Sequence, residues 1–442
     1  MLLVGNGLLI TRDPQNPIIQ DGCVAIDDHL IAEVGTTIES KGKYHGAKFI
    51  DANKKLIMPG LINTHMHFYS TFARGMFLKD AAPTNFGEIL ERLWWRLDKA
   101  LTLEDVYYSA MVPIIDCIKT GTTTVFDHHA SPNAARGSLF KIAEATKKAG
   151  LRACLCYEVS DRDGEQIADY GIKENIDFIN YCHQEADHLL KGMFGLHASF
   201  TLSDQTLEKC VSQNAGTGVG FHVHAAEGIE DLNDAKAKYG VGVVERLFAR
   251  HVLGEKSIAV HCVHISEKEL VILKNSGTTV VHNPESNMGN AVGVSPVLPM
   301  FEKGIRIGLG TDGYTSDMFE SLKVANCLHK HANQHPSVAW VEPPQMLFEN
   351  NIQIAEKYFE KPLGRLTAGA YADLIVVDYF PPTRLDAENV NSHILFGVSG
   401  RAVETTIING QVMMENRRLT VIDEEAICAR SRELADKVWN RF

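Results

Sequence analysis

The chain has 442 residues, of which 45% are hydrophobic, and a formal net charge of −12 at pH 7. This length and apolar content suffice for a large buried core, and an α/β barrel can use about 250 residues as one domain. The acidic balance disfavours a surface that binds nucleic acid. No apolar run approaches the ~20 residues that a membrane span requires. We therefore expect a globular protein that binds neither nucleic acid nor a membrane.

The cysteines and the first residues suggest a cellular location. The nine cysteines are scattered and include no CxxC pair, which favours reduced thiols in a reducing compartment. Met1–Ile10 is apolar but lacks a basic start and a small-residue cleavage site, so we predict a strand there and not a signal peptide. Both observations predict a cytoplasmic location.

The two ends of the chain carry similar β patterns. Residues 1–57 contain short apolar runs separated by turn residues. Strand-like runs return after residue 365, at Leu374–Val377, His393–Phe396, Thr405–Ile408 and Val412–Met414. Asn409-Gly410 is a strong hairpin signal between the last two. We therefore predict that residues 1–57 and 366–442 pair into one small β-sandwich domain, which also carries an amphipathic C-terminal helix.

Between these ends, eight short apolar runs each stop at a histidine or an acidic residue. The runs are Leu56–Ile62, Thr122–Phe126, Ala153–Tyr157, Met193–Leu196, Val219–Val223, Ile258–Val260, Thr278–Val281 and Ile305–Leu309. Helical patterns alternate with them, as in βαβ units. The carboxyl ends of barrel strands open on one face, where functional groups sit. The pattern predicts a (β/α)8 TIM barrel over residues 58–365.

Four of the residues after these runs are typical metal ligands. His65 and His67 lie two residues apart on a strand, so their side chains share one face. His224 would supply a third imidazole, and Asp312 a fourth, anionic ligand. With zinc, such a site keeps enough positive charge to lower the pKa of bound water towards about 7. We predict a divalent metal ion: zinc, with iron or manganese as alternatives, because these ligands suit several divalent ions.

Three residues are candidates for proton transfer beside that metal. Glu227 follows His224 by three residues and could shuttle a proton without binding the metal. His261 could polarise the substrate or hold the attacking water. Asp312 could accept the proton of that water.

These motifs carry a family resemblance. Pro59-Gly60 with His65-Met66-His67, His224-x-x-Glu227, His261, His282-Asn283-Pro284 and Thr311-Asp312-Gly313 together resemble the amidohydrolase superfamily, in its aminohydrolase and chlorohydrolase branch. Leu93–Asp98, Asp127–Pro132 and Thr311–Met318 are similar to the SsnA-type aminohydrolases, a group associated with purine breakdown. The resemblance covers nearly the whole chain. It implies a metal-dependent hydrolase that deaminates an amino-substituted N-heterocycle, and a homodimer or higher homo-oligomer.

The end of the fourth barrel strand bears on metal number and substrate. Two-metal members of the superfamily have a carboxylated lysine there, whereas this chain has His197, so the resemblance implies one metal. A histidine at this position is similar to deaminases of adenosine-type or triazine rings and makes guanine a less favoured substrate.

Six residues are candidate substrate contacts, each with a structural alternative. Either strand-end histidine, His128 or His197, could contact the ring, and Glu158 could bind a polar ring edge. Arg74 could anchor an anion, or form a structural ion pair. Trp95 could stack on substrate or belong to the core. His282 could orient neighbouring groups by hydrogen bonds.

Two other functions stay open at this point. One is hydrolytic ring opening of a cyclic amide or amidine from purine breakdown, which releases no ammonia. The other is a non-catalytic scaffold. Because such scaffolds lose metal ligands and every expected ligand is present here, the sequence favours the enzyme. The fold hosts many chemistries, so the sequence does not name the substrate.

Overall fold

The computed structural model describes residues 1–185 and 187–442. The described residues form strands β1 Leu2–Ile10, β2 Ile18–Asp27, β3 Leu30–Thr36, β4 Lys48–Asp51, β5 Leu56–Pro59, β6 Leu61–Met66, β7 Thr122–His129, β8 Arg152–Tyr157, β9 Leu190–Gly192, β10 Phe194–Ala198, β11 Phe221–Ala225, β12 Ile258–His261, β13 Thr279–His282, β14 Ile307–Leu309, β15 Leu374–Val377, β16 Val403–Ile408, β17 Gln411–Glu415 and β18 Arg418–Leu419.

The helices of the described residues are α1 Thr37–Lys43, α2 Phe86–Ile89, α3 Trp95–Ala100, α4 Leu103–Thr120, α5 Ser138–Ala149, α6 Glu165–Glu185, α7 Asp204–Asn214, α8 Ile229–Tyr239, α9 Val243–Ala249, α10 Glu267–Ser276, α11 Pro284–Gly289, α12 Val297–Glu302, α13 Met318–Ala332, α14 Glu342–Gln345, α15 Asn351–Ala355, α16 Val390–Gly397 and α17 Glu424–Arg441. Two π-helical turns, Leu90–Trp94 and Met346–Asn350, interrupt this set. None of these helices is both long enough and apolar enough to cross a lipid bilayer.

Two parallel sheets form the barrel. One has the order β6-β7-β8-β9 and the other the order β10-β11-β12-β13-β14. Isolated parallel bridges join them, from Met66 to Asp312 at one seam and from Val159 to Leu196 at the other. Every residue of β7, β8, β10 and β11 is buried, as expected for strands covered on both faces. The fold class predicted from the sequence, a (β/α)8 barrel with an added β domain, is confirmed.

Local sequence signals set the ends of the barrel helices. Helix α4 begins at a capping box in which Thr102 and Asp105 exchange hydrogen bonds, and it ends at Gly121 with φ 83°. Helix α10 repeats this arrangement with Ser266, Glu269 and Gly277. The helices therefore stop where the next barrel strand must start, and each strand delivers its last residues to the same face.

The chain ends share a nine-stranded sheet. Its order is β18-β17-β16-β15-β5-β1-β2-β3, and β4 also pairs with β1. The contact between the two ends is the antiparallel pairing of β15 with β5, in register from Leu374 opposite Pro59 to Val377 opposite Leu56. The domain boundaries at residues 57/58 and 365/366 stay a prediction.

Two local predictions are wrong. The run Leu56–Ile62 is not one barrel strand, because Leu56–Pro59 belongs to the end sheet and Leu61–Met66 to the barrel. The division falls at Gly60, where a β-carbon would come within 2.3 Å of the Thr123 side chain, so only glycine fits. The run His393–Phe396 lies in helix α16, whose buried residues Val390, Ile394 and Leu395 follow the helical period.

A buried ion pair ties the end sheet to the barrel. Arg152 begins β8 and its guanidinium makes a two-pronged contact with Asp373, at 2.8 Å from Nε and 3.0 Å from Nη2. Both side chains are almost fully buried, at 0% and 2% exposure. Asp373 also accepts the backbone N–H of Asn409.

Removing one partner of this pair should destabilise the protein. We expect Asp373→Ala to lower the free energy of unfolding by about 3–5 kcal/mol, because it leaves the Arg152 charge buried without its carboxylate. The matched control is Asp177→Ala, which breaks an exposed pair with Lys173 on α6 and should cost about 0.5 kcal/mol or less. Denaturant unfolding followed by circular dichroism measures both. Equal effects of the two variants would contradict the structural role of the buried pair.

Candidate metal centre and active-site cavity

Four predicted ligands meet at the carboxyl ends of the barrel strands. Ligand atoms of His65, His67 and His224 lie within 4.8 Å of one another, as do those of His65, His261 and Asp312. His67 Nε2 lies 3.2 Å from His224 Nε2 and 3.2 Å from Asp312 Oδ1. The structure thus brings together side chains that are up to 247 residues apart in the sequence (312 − 65).

Hydrogen bonds fix the orientation of three of these imidazoles. Nδ1 of His67 donates to the carbonyl oxygen of His128, and Nδ1 of His224 donates to that of His197 at 3.0 Å. Nδ1 of His261 donates to Asn287 Oδ1 at 2.8 Å. Because each Nδ1 carries the proton, each Nε2 presents a lone pair to the centre of the cluster.

The donor set therefore fits a divalent metal ion. Nε2 of His65 and Nε2 of His261 are buried and lack a hydrogen-bond partner among the described residues. Lone pairs that face each other in a buried cluster, with a carboxylate beside them, suit a cation better than they suit one another. Nitrogen and carboxylate donors of this kind bind zinc, iron and manganese.

The end of the last barrel strand is held in an uncommon backbone conformation. Asp312 has φ 55° and His261 has φ 70°, in the left-handed region that non-glycine residues rarely adopt. The amides of Thr311 and Asp312 both donate to the carbonyl of His65 at 3.0 Å. These bonds close the barrel seam and fix the Asp312 carboxylate above His65 and His67.

Residues in and directly after helix α11 contact the groups that could transfer protons. Ser286 donates to Asp312 Oδ2 at 2.6 Å, and Asn290 lies 3.5 Å from Glu227 Oε1. Together with the bond from His261 to Asn287, this short helix and its C-cap residue Asn290 contact all three predicted catalytic residues. His261 Nε2 lies 3.4 Å from Glu227 and 3.6 Å from Asp312.

The two carboxylic acids next to His261 have opposite electrostatic environments. Burial raises the pKa of Glu227 well above its usual range, and the nearby charge of Asp312 adds to this rise. Burial also acts to raise the pKa of Asp312. Without a metal, His67 can be protonated at Nε2 as well, and its hydrogen bond and charge then hold the pKa of Asp312 well below its usual range. The pKa values of the two groups are thus shifted in opposite directions, the arrangement that can separate an acid from a base.

A cavity of about 770 Å³, its open mouth included, lies beside the cluster. His67, His224, Glu227 and Asp312 line it together with an aromatic and aliphatic wall formed by Tyr69, Phe86, Leu90, Trp94, Trp95 and Phe200. Its size is in the range of small-molecule sites. Glu158, His197 and Trp95 line this cavity, as expected for substrate contacts.

A charge network lies behind one side of the cavity. His128 contacts Glu158 Oε2 through Nδ1 at 3.1 Å and the carbonyl of His222 through Nε2 at 3.0 Å. Burial acts to raise the pKa of Glu158, but the charges of His197 and His128 hold it well below its usual range. His128 therefore acts on the cavity through Glu158 and does not line it itself.

Two predicted substrate contacts lie elsewhere. Arg74 pairs with Asp116 at 2.8 Å and lines a different surface cavity, because that carboxylate holds its guanidinium on the outside of α4. His282 is fully buried, and its Nε2 contacts His329 at 3.1 Å. The structure does not bring either side chain to the cavity beside the metal centre.

Sequence analysis missed the residues of α11 that contact the site. Ser286, Asn287 and Asn290 follow a strand-end histidine and Pro284, which stands at the first position of the helix. A short polar helix directly after a site-forming strand was the available signal.

The chain is similar to known proteins over its whole length. Residues 56–413 match the amidohydrolase family. The chain is 33% identical to a 5'-deoxyadenosine deaminase of Methanosarcina acetivorans, with 100% of this chain and 99% of that protein covered. It is 31% identical to a 5-methylthioadenosine/S-adenosylhomocysteine deaminase of Pelotomaculum thermopropionicum, again with 100% and 99% covered. The crystal structure of an adenosine deaminase from Xanthomonas campestris with bound zinc superposes with a TM-score of 0.86 at 23% identity, covering 99% and 98% of the two chains.

The chain belongs to the amidohydrolase family. The resemblance predicted from the motifs is thereby confirmed, and the narrower likeness to SsnA-type aminohydrolases stays a prediction.

Metal analysis tests the ligand set directly. We expect the purified protein to bind a divalent ion and His224→Ala to bind it at least about 100-fold more weakly, since loss of a ligand should cost no less than loss of an outer contact. His264→Ala is the matched control. His264 comes shortly after β12, the strand that pairs with β11 and its His224, but it belongs to none of the donor clusters. Equilibrium dialysis against zinc, read by mass spectrometry, gives both affinities. Unchanged binding in His224→Ala would contradict the ligand set.

Proposed function

We propose that this protein is a hydrolytic deaminase of an amino-substituted, purine-related heterocycle. The proposed metal is a single divalent ion, zinc, with iron or manganese as alternatives, held by His65, His67, His224 and Asp312. The observation that carries the proposal is the position of His261, whose Nε2 lies within 3.6 Å of carboxylate oxygens of Glu227 and Asp312. Both acids line one cavity. The deaminase names of its relatives over the full chain length support the same reaction class.

The metal and the side chains around it would have different roles in the reaction. When bound, the metal would act as a Lewis acid that makes a water molecule in the site more acidic. The carboxylate of Asp312 lies next to His67 Nε2 and accepts a hydrogen bond from Ser286. It would accept a proton from that water. His261 would orient the water through its Nε2 lone pair, since Asn287 fixes the proton on Nδ1.

Glu227 would serve the leaving group. Its carboxyl lies in the cavity wall, and its raised pKa favours the protonated form, which can donate to a ring or amino nitrogen. Attack of water on the ring carbon forms a C–O bond. Proton transfer from Glu227 to the amino nitrogen then lets the C–N bond break, giving ammonia and the hydroxy tautomer of an oxo-heterocycle. The water proton that Asp312 accepted then passes to Glu227 and restores it.

The other cavity residues would hold the ring. His197 and Glu158 present polar atoms next to His224, and Trp95 presents a ring face and a buried N–H. We assign His128 and His282 positioning roles, through Glu158 and His329 respectively. We assign Arg74 no contact with the ring, since its charge is committed to Asp116.

Ammonia release from a panel of amino-purines, pterins, pyrimidines and triazines tests the proposal. We expect one ring class to release ammonia, and Glu227→Gln to lower kcat by about 10²–10⁴-fold while keeping the metal, because the amide cannot transfer a proton. Glu267→Gln on α10, an exposed glutamate paired with Lys303, is the matched control and should keep full activity.

Two results would count against this account. Loss of metal from Glu227→Gln would mean that Glu227 is a ligand and not a proton donor. No ammonia from any ring by the metal-loaded protein would refute deamination and favour hydrolytic ring opening.

Oligomeric state and location are separate predictions. We propose a homodimer or higher homo-oligomer in the cytoplasm. Sedimentation velocity at micromolar concentration tests the first, and fractionation of the source cells tests the second.

A further inference from the structure

The side chains that line the cavity beside the metal centre include several acids. These acids are Glu158, Glu227, Glu230, Asp231 and Asp312. Within residues 1–185 and 187–442, neither lysine nor arginine lines this cavity. Asp312 belongs to the metal centre and Glu227 to the proton path. Asp231 accepts hydrogen bonds from the backbone N–H groups of Phe200 and Ala226. Glu158 and Glu230 are therefore the acids left to face the rest of a substrate.

One guanidinium, that of Arg162, lies behind the cavity wall and is surrounded by acids. It is 5.4 Å from the ring of Trp95 and 9% exposed. Its Nη2 contacts Asp98 and lies 4.0 Å from Glu158 Oε1, and its Nε lies 3.4 Å from Asp163. Turning it towards the cavity would leave the buried Asp98 without its partner, at a cost in stability.

A substrate anion would thus be buried without a partner. Phosphate and carboxylate groups lose their hydration in a narrow cavity and need a cation or several donors in return. Here Glu230 Oε1 is 3.4 Å from the backbone N of Gly87, and its Oε2 is buried with no hydrogen-bond partner among the described residues. An anion nearby would meet like charge, which disfavours binding further.

The same wall suits uncharged groups. Phe86, Leu90, Trp94, Trp95 and Phe200 supply apolar and aromatic surface. Trp95 Nε1 is a buried donor without a partner in the part of the chain that the structure describes, and a neutral ring nitrogen or hydroxyl would satisfy it. Glu230 could accept a hydrogen bond from a hydroxyl or amino group.

We infer that the cavity selects amino-heterocycles whose substituents are uncharged and rejects those that carry a phosphate or a carboxylate. This inference rests on the proposed deaminase function and narrows its substrate class to nucleosides or free bases, as opposed to nucleotides or amino-acid conjugates.

Four purine substrates test the inference. We expect kcat/KM for adenosine and 5'-deoxyadenosine to exceed that for AMP and for S-adenosylhomocysteine, which carry a phosphate and a carboxylate, by about 100-fold or more, as expected when an anionic group has no partner. Turnover of either of these two within about threefold of the other two would overturn the inference and leave the deaminase proposal intact.

A charge-neutral variant locates the discrimination. Glu230→Gln should lower the ratio of kcat/KM for adenosine over AMP by about threefold or more, because it removes a like charge from the cavity. Asp234→Asn is the matched control: it removes one charge from the same helix, α8, but its carboxylate pairs with Lys238 and lines no part of the cavity. Equal ratios in both variants and the wild type would overturn the role of Glu230.

Binding separates this inference from the reaction. If no ring releases ammonia, the deaminase proposal fails, and equilibrium dialysis of labelled adenosine against labelled AMP then decides the charge rule. Tighter binding of adenosine supports the rule. Equal binding, tighter binding of AMP, or binding of neither overturns it.

Discussion

The packing of imidazoles into one buried layer at the barrel mouth constrains the rest of the site. A buried polar atom costs free energy unless it finds a partner. Main-chain carbonyl oxygens accept hydrogen bonds from Nδ1 of His67 and of His224, and Asn287 accepts one from Nδ1 of His261. The remaining nitrogens turn inward together. The hydrogen bonds that keep these rings in place therefore also create the set of lone pairs that a metal ion would satisfy.

This constraint joins stability to function at the barrel seam. The bridge from Met66 to Asp312 closes one side of the barrel, and its two residues lie beside or within the ligand set. The backbone N–H groups of Thr311 and Asp312, which follow β14, donate hydrogen bonds to the carbonyl of His65. The last strand therefore cannot shift without moving Asp312. On the opposite end of the barrel, the pair Arg152–Asp373 anchors the end sheet.

Sequence analysis located the parts of the site that depend on local pattern. Each strand tip is visible as an apolar run followed by a polar residue, and a parallel barrel brings all such tips to one face, so His65, His67, His224, His261 and Asp312 could be named before any coordinates. The sequence left open whether Arg74 binds an anion or forms a structural ion pair, because a long side chain can turn to whichever acid lies nearest. Its partner Asp116 is set by the packing of α4, which the local pattern does not reveal. Likewise, His393–Phe396 has few residues, and a short apolar run fits a helix as well as a strand.

Anomalous diffraction at the zinc edge, on crystals of the zinc-loaded protein, tests the central claim most directly. The account predicts one strong peak about 2.0–2.2 Å from His65, His67, His224 and Asp312. The structure contains a competing donor group, Glu158 with His197 and His224, whose ligand atoms also lie within 4.8 Å of one another. A peak at that group, or a second peak there of equal strength, would contradict the single-metal centre on which the proposed chemistry depends.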